Sequence, residues 1–366
     1  PPPSHWPAYA RSNAGTRFSP LKEITAENIE RLQVAWTYRT GELGQHARDG
    51  GDLTFESTPV HFEGQLILTT GFNHVIALDP VTGRSIWRFD AEIDRQEGYS
   101  ELTNRGVATW RDSGARPLSV CAARVFTGTI DGRLIALDAA TGKPCSDFGK
   151  NGEVALWSLA GVEPGEVGDY QVTSAPLVVK DRVIVGSSIG DNWSVDTGDG
   201  SVRAFDARTG ALKWSWAPIA DQAPSQLGAG NAWSTLSADV ERGLVFVPTG
   251  SASPDFFGGL RPGDNNWANS VVALDALTGD QIWAFQTVRH DLFDYDVAAQ
   301  PTLATIDLEG KRVPVVVQPT KTGLLFVLDR ESGEPVFGFE ERPVPPSSLP
   351  DEQAAATQPF PLKPLP

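Results

Sequence analysis

The sequence predicts an all-β fold, a β-propeller built of four-stranded blades. Three observations lead there. One phrase recurs five times, helical periodicity is nearly absent, and the repeat length suits a blade. The first copy reads Ala77-Leu78-Asp79, then Thr82-Gly83, then Trp87. The second is Ala136-Leu137-Asp138 with Thr141-Gly142, and Ser146 stands where the aromatic would fall. The third is Ala204-Phe205-Asp206, Thr209-Gly210, Trp214, and the fourth Ala273-Leu274-Asp275, Thr278-Gly279, Trp283. The last is degenerate: Val327-Leu328-Asp329, Ser332-Gly333, Phe337.

Each copy reads as a hairpin. A β-rich run such as Val75–Leu78 ends in an Asp that can bond its own backbone two residues on. The Gly that follows supplies positive φ, so the turn is tight. A second strand such as Ser85–Phe89 follows, and its aromatic can pack on the neighbouring unit. Leu66–Leu68, Val183–Val185 and Leu244–Val247 supply further strands. The turn aspartates lie 54 to 69 residues apart, so 366 residues hold about six blade periods. The one helical signal runs from Thr25 to Leu32, with Thr25 as its cap. The propeller is expected over residues 1–342. The tail, 343–366, is rich in Pro, Ser and Gln and is expected to be an extended loop or linker.

Composition narrows the function. Lys plus Arg total 30 against 46 Asp plus Glu, a net charge of −16. Such a chain repels a phosphate backbone, which excludes general nucleic-acid binding. No apolar run is long enough for a transmembrane helix. There is no Met, which reads as a processed or trimmed chain. Cys121 and Cys145 are too few for a zinc or haem motif. They form either a disulfide in an oxidising compartment or two buried thiols.

Outside the repeats stand His290-Asp291-Leu292-Phe293-Asp294-Tyr295-Asp296 and Pro319-Thr320-Lys321-Thr322-Gly323. Upstream are Gly190-Asp191-Asn192, Asn231-Ala232-Trp233 and Gly250-Ser251-Ala252-Ser253-Pro254. Near the start are Phe55–Pro59 and Asn104–Val107. This set resembles the pyrroloquinoline quinone (PQQ)-dependent dehydrogenases, nearest the membrane-type glucose and quinate branch. The resemblance runs from Trp6 to the tail, with repeats and site residues in the same order.

The resemblance implies an eight-bladed propeller with PQQ and a metal ion on its axis. It therefore implies further blades after Pro366, from the same gene product or a second chain. It implies a periplasmic enzyme that oxidises an alcohol, polyol or sugar and passes electrons to ubiquinone or a cytochrome c.

Asp294 matches the catalytic aspartate, a carboxylate that takes the hydroxyl proton. Lys321 matches the lysine whose ammonium stabilises charge on the quinone oxygens. Asp191, Asp294 and Asp296 match positions where the resemblance implies metal-binding carboxylates, and Ser251 falls where the family has an Asn ligand. Calcium is the expected ion, with magnesium or a lanthanide as alternatives. Trp233 matches the residue stacked on the cofactor. Arg105, Thr173, Ser188 and Glu56 match cofactor-side contacts. His74 is placed on a loop facing the same opening.

Two rival readings follow from the same residues. One is a non-enzymatic scaffold of the outer-membrane assembly type, for which Asp191, Asp294 and Lys321 need not converge. The other is a quinoprotein with a degraded metal site, suggested by Ser251.

Overall fold

The computed structural model describes residues 5–42, 53–162, 170–190, 197, 200–219 and 229–364. Each repeat becomes part of one antiparallel sheet. The first sheet is β1 (Val60–Phe62), β2 (Gln65–Thr69), β3 (Val75–Leu78) and β4 (Ser85–Phe89), paired in sequence order. The second is β5 (Ala108–Arg111), β6 (Ala123–Gly128), β7 (Arg133–Asp138) and β8 (Glu153–Ala155). A short strand β9 (Tyr170–Gln171) precedes the third sheet. That sheet takes β10 (Leu177–Val179), β11 (Arg182–Val185), β13 (Val202–Asp206) and β14 (Leu212–Trp216). The intervening β12 (Ser188–Ile189) pairs with β9. The fourth sheet is β15 (Ser237–Asp239), β16 (Leu244–Pro248), β17 (Ser270–Asp275) and β18 (Gln281–Gln286). The fifth is β19 (Thr302–Leu308), β20 (Lys311–Pro319) and β21 (Leu325–Asp329).

The repeat therefore yields five sheets among the described residues, not the six periods that length suggests. Before Val60 the described chain has only a single 3-10 turn. That turn, Ile29–Arg31, replaces the expected helix. Thr25 does not cap it, since Asn28 stands at its N-cap without a side-chain bond. The tail also differs from an extended loop. Its Thr357–Pro361 (β23) pairs antiparallel with Phe339–Pro343 (β22). Pro359 and Pro361 fit there because a two-stranded ribbon leaves edge positions that need no N–H donor. No helix among the described residues is long and apolar enough to cross a membrane.

The sheets stack face to face. Apolar residues of the first and second sheets share one core, which includes Val75, Trp87, Ile135 and Leu137. The second and third share another, as do the third and fourth, and the fourth and fifth. The hairpin aromatic couples them. Trp87 Nε1 donates 3.1 Å to the Ala139 carbonyl in the next hairpin's turn, and its ring covers Gly142 of that turn. Trp214 repeats this with Ala276 and Gly279, and Trp283 with Arg330 and Gly333. The second copy, with Ser146, has no indole to offer. There the Gly149 N–H bonds the Thr209 carbonyl at 2.9 Å, and backbone at Gly149 covers Gly210.

Cys121 and Cys145 form a disulfide within the second sheet unit, 24 residues apart. Closing a loop of that length stabilises by about 3 kcal/mol in the chain-entropy picture. Cys121→Ala/Cys145→Ala should lose about that much in urea unfolding; an unchanged midpoint would contradict it.

The N-terminal segment straps the inner edges together. The Trp6 carbonyl accepts from His61 N in β1, and the Pro7 carbonyl from Thr109 Oγ1 in β5. Asn13 Nδ2 donates 2.7 Å to Val178 O in β10, and its carbonyl accepts from Ala238 N in β15. The Ala14 carbonyl accepts from Leu303 N in β19. The nine residues Trp6–Ala14 thus touch the first strand of all five sheets. Asn13→Ala should cost about 0.5–1.5 kcal/mol, because it removes the bond to the half-buried Val178 carbonyl. Thermal unfolding of that variant checks it.

Candidate active site

Five loops converge because each enters the first strand of a sheet. Glu56 lies just before β1, Arg105 before β5, Thr173 before β10, Trp233 before β15, and Asp294 and Asp296 before β19. Lys321 sits in the turn between β20 and β21. The repeat thus places equivalent loop positions around one opening.

Lys321 is the hub. Its Nζ donates 2.9 Å to the Asp294 carbonyl, 2.9 Å to Asp294 Oδ2 and 3.0 Å to Asp296 Oδ2. Trp233 Nε1 donates 3.1 Å to the same Asp296 oxygen. Arg105 and Lys321 place their cationic groups 5.1 and 5.9 Å from the Trp233 ring centroid. Arg105 Nε pairs with Glu56 at 2.9 Å, and its backbone N–H bonds the Thr173 carbonyl.

The loop carrying the carboxylates is held from behind. The buried carboxylate of Asp291 accepts from Phe293 N, Tyr295 N, Ser251 Oγ and Asn269 Nδ2. Asp294 takes a left-handed φ of +58°, which Asp tolerates better than most residues. Successive residues then face opposite ways. Asp294 and Asp296 line a cavity of about 270 Å³, together with Glu101, Ser188, Asn231, Asp255 and Lys321. Phe293 and Tyr295 line a separate, largely apolar pocket behind the loop.

Electrostatics follow from that crowding. Burial, then the charge of Asp296, pushes the Asp294 carboxyl up to about 7, against the opposing pull of Lys321. Burial works against the Lys321 ammonium, but Asp296 and Asp294 outweigh it and raise its pKa. Burial also raises the carboxyls of Glu101 and Asp255. Four carboxyls face one ammonium in this cavity. Carbon-13 NMR of the aspartates without divalent cation should show a midpoint near 7. Added Ca²⁺ should move it down, because a nearby positive charge favours the carboxylate. A midpoint indifferent to Ca²⁺ would count against a cation at this place.

Of the residues singled out from the sequence, Ser188, Trp233, Asp294, Asp296 and Lys321 share the cavity, and Glu56 and Arg105 line the one beside it. Thr173 is fully buried, bonded to Arg105 through its carbonyl. Asp191 lies outside the described residues. Ser251 is turned toward the protein. Its hydroxyl is taken up by Asp291 at 2.6 Å and Asn269 at 2.9 Å. What it presents to the carboxylates is its backbone N–H, 2.6 Å from Asp296 Oδ1. His74 is buried between Glu42 and Asp90 and does not line the cavity. Glu101 and Asp255 are additions the sequence did not single out, and Asn231, noted in the sequence only as part of the motif with Trp233, also lines the cavity. Asp255 directly follows the Ser253-Pro254 pair already noted, which was the signal available.

Comparison with known proteins supplies the remaining evidence. Residues 6–366 match the PQQ glucose/ethanol/alcohol dehydrogenase β-propeller domain. Quinoprotein glucose dehydrogenase of Escherichia coli (strain K12) is 38% identical over 97% of this chain and 46% of its own length. The chain spans about half the length of the curated relatives it matches. The quinohemoprotein alcohol dehydrogenase of Comamonas testosteroni superposes with a TM-score of 0.77 at 30% identity, over 98% of this chain and 52% of that one. A europium-containing methanol dehydrogenase gives 0.76 at 25% identity, over 98% of this chain and 62% of that one.

Proposed function

This chain belongs to the PQQ glucose/ethanol/alcohol dehydrogenase β-propeller family, and we propose that its site oxidises an alcohol, polyol or sugar. The observation that carries the reading is the joint contact of Lys321 with Asp294 and Asp296 beside Trp233. A scaffold surface has no need of that convergence.

The residues fit the groups the family implies. Among the described residues, Thr173 Oγ1, Ser187 Oγ and Asn231 Oδ1 are buried with no hydrogen-bond partner, and Arg105 Nη1 meets only Glu101, at 3.6 Å. Buried polar groups are rarely left so in a finished protein. Arg105 and Thr173 would hold PQQ at its acidic groups, Trp233 at its flat face, and Ser188 and Glu56 at its edge. Asp294 and Asp296, with Asp191, would hold the cation, whose hard chemistry calls for carboxylate oxygens. When bound, PQQ supplies the electron-accepting quinone and the cation supplies Lewis acidity.

The protein's own part is proton transfer and charge placement. Asp294 accepts the proton of the substrate hydroxyl. Lys321 keeps Asp294 in place through two bonds and presents its ammonium to the Trp233 ring. Asp296 holds Lys321 and Trp233 together.

Calcium is the proposed ion. The europium-containing neighbour supports retaining a lanthanide as the alternative. The disulfide supports an oxidising compartment, the periplasm. Electrons would leave to ubiquinone or a cytochrome c. The test is a PQQ titration followed by tryptophan fluorescence, with and without Ca²⁺. Saturable quenching that requires the cation is expected, and quenching lost in Trp233→Phe would locate it. No saturable change under either condition would overturn the reading.

A further inference from the structure

Asp291 does not line the cavity that holds Asp294, yet its carboxylate takes up the backbone on both sides of Asp294. We propose that Asp291 is a positioning residue, which fixes the Asp294 carboxyl for proton transfer by pinning the peptides that flank it. This rests on Asp294 being the base, as read above.

Oδ1 of Asp291 accepts from Phe293 N at 3.0 Å, and Oδ2 from Tyr295 N at 2.5 Å. The Tyr295 N–H belongs to the peptide that follows Asp294. The carbonyl of that same peptide accepts from Lys321 Nζ at 2.9 Å. The peptide is therefore held at both ends, by Asp291 on one side and by Lys321 on the other. Asp294 is thereby kept at φ +58°, a sparsely populated conformation that persists where its surroundings over-determine it.

Asp291 is itself held in one orientation. It is buried, and its Oδ2 also accepts from Ser251 Oγ at 2.6 Å and Asn269 Nδ2 at 2.9 Å. Asn269 stands directly before β17. Its N–H bonds the Gly250 carbonyl and its own carbonyl accepts from Thr287 N, both at 2.8 Å. The backbone of Asp291 is fixed separately, because the fully buried Arg261 bonds its carbonyl through Nη2. Arg261 Nε donates 2.8 Å to the Pro254 carbonyl and Nη1 2.9 Å to Asn265 Oδ1. Ser251 then serves both carboxylates of the site. Its hydroxyl orients Asp291, and through it Asp294, while its N–H reaches Asp296 Oδ1 at 2.6 Å. The fourth sheet thus sets where the base stands.

Two measurements on Asp291→Asn test this. The first needs no cofactor: amide hydrogen exchange at Phe293 and Tyr295. An amide group cannot accept from both N–H groups through its two ends, so protection at one or both should fall at least about tenfold. Protection in β19, beyond the loop, should not change. The second uses the protein loaded with PQQ and Ca²⁺. A misplaced base should lower kcat by about 10–10²-fold. KM for the alcohol, and PQQ affinity read by tryptophan fluorescence, should stay within about threefold, since Asp291 lies outside the cavity. Asp291→Glu keeps the charge but moves it by one methylene, so it should not restore kcat; full recovery would mean that charge alone matters and would overturn the positioning role. Native protection, or native kcat despite lost protection, would overturn it too, as would kcat and KM failing together with a lowered melting temperature. If Asp291→Asn does not fold, Ser251→Ala takes one donor from the same carboxylate and should show the same loss of protection at smaller size. Asp294→Asn keeping native kcat, or native chain that binds no PQQ, would overturn the site reading and the role of Asp291 with it. Failure of the Asp291 variants alone leaves that reading standing.

Discussion

Asp294→Asn should lower kcat by about 10²–10⁴, the usual worth of a positioned general base. The substitution is nearly isosteric, so the fold should survive. Asn tolerates the left-handed backbone at this position as well as Asp does. Lys321 retains its bonds to the Asp294 carbonyl and to Asp296 Oδ2. What disappears is the oxygen that accepts the proton, together with one charge near the cation. The two losses separate by measuring at saturating Ca²⁺, where the charge deficit is met by mass action and only the missing base remains. Residual kcat above about a tenth of native under those conditions would show that Asp294 is not the base. The acid side of the native pH profile gives a second check. Asp294 must be ionised to accept a proton, so activity should fall as pH drops through its midpoint. Its midpoint near 7 applies without the cation. A bound cation lowers it, so cation-depleted enzyme should lose activity at higher pH than loaded enzyme.

How far the sequence carried this reading depended on whether the determinant was local. The Asp-x-x-Thr-Gly turn was legible because its chemistry lies within five residues. Asp79 Oδ1 accepts from the N–H groups of Val81 and Thr82 and from the Thr82 hydroxyl. Asp206 and Asp329 repeat the pattern. Asp294, Lys321 and Trp233 were legible through their motifs and the resemblance those motifs carry. Asp255 was not, and Asn231 carried no role in its motif, because their place depends on which loops five sheets bring to one opening. The bonding of Ser251 was out of reach for the same reason. Its hydroxyl goes to Asp291 across forty residues of chain, and no spacing rule encodes that. The N-terminal strap is non-repetitive and bonds mainly through backbone carbonyls, with Asn13 Nδ2 a side-chain exception, so side-chain patterning says little of it. In the tail, Pro-rich composition concealed a strand whose pairing partner lies just outside the biased stretch.

Trp214→Ala should destabilise the chain by about 3–5 kcal/mol, the range for emptying a large buried aromatic. The residue is 6% exposed and lies between the third and fourth sheets. Three losses add up. The ring's apolar contact with both sheets goes, a cavity opens over Gly279, and the Ala276 carbonyl loses the indole N–H at 3.1 Å. The effect should exceed that of Trp36→Ala. Trp36 makes the same kind of contact with Pro80 and Gly83 but is only half-buried. Trp214→Phe should fall between, since a phenyl ring refills part of the space but leaves the carbonyl unbonded. The turn glycine offers the complementary test. Gly279 has φ +78°, and a Cβ there would lie 2.7 Å from the Trp214 ring. Gly279→Ala should therefore destabilise in the native background and do so less in Trp214→Ala, where the ring is gone and only backbone strain remains. Equal costs in both backgrounds would mean that ring and turn are not coupled. The repeat would then specify hairpins without specifying how one blade sits on the next, and the convergence of five loops on one site would need another cause.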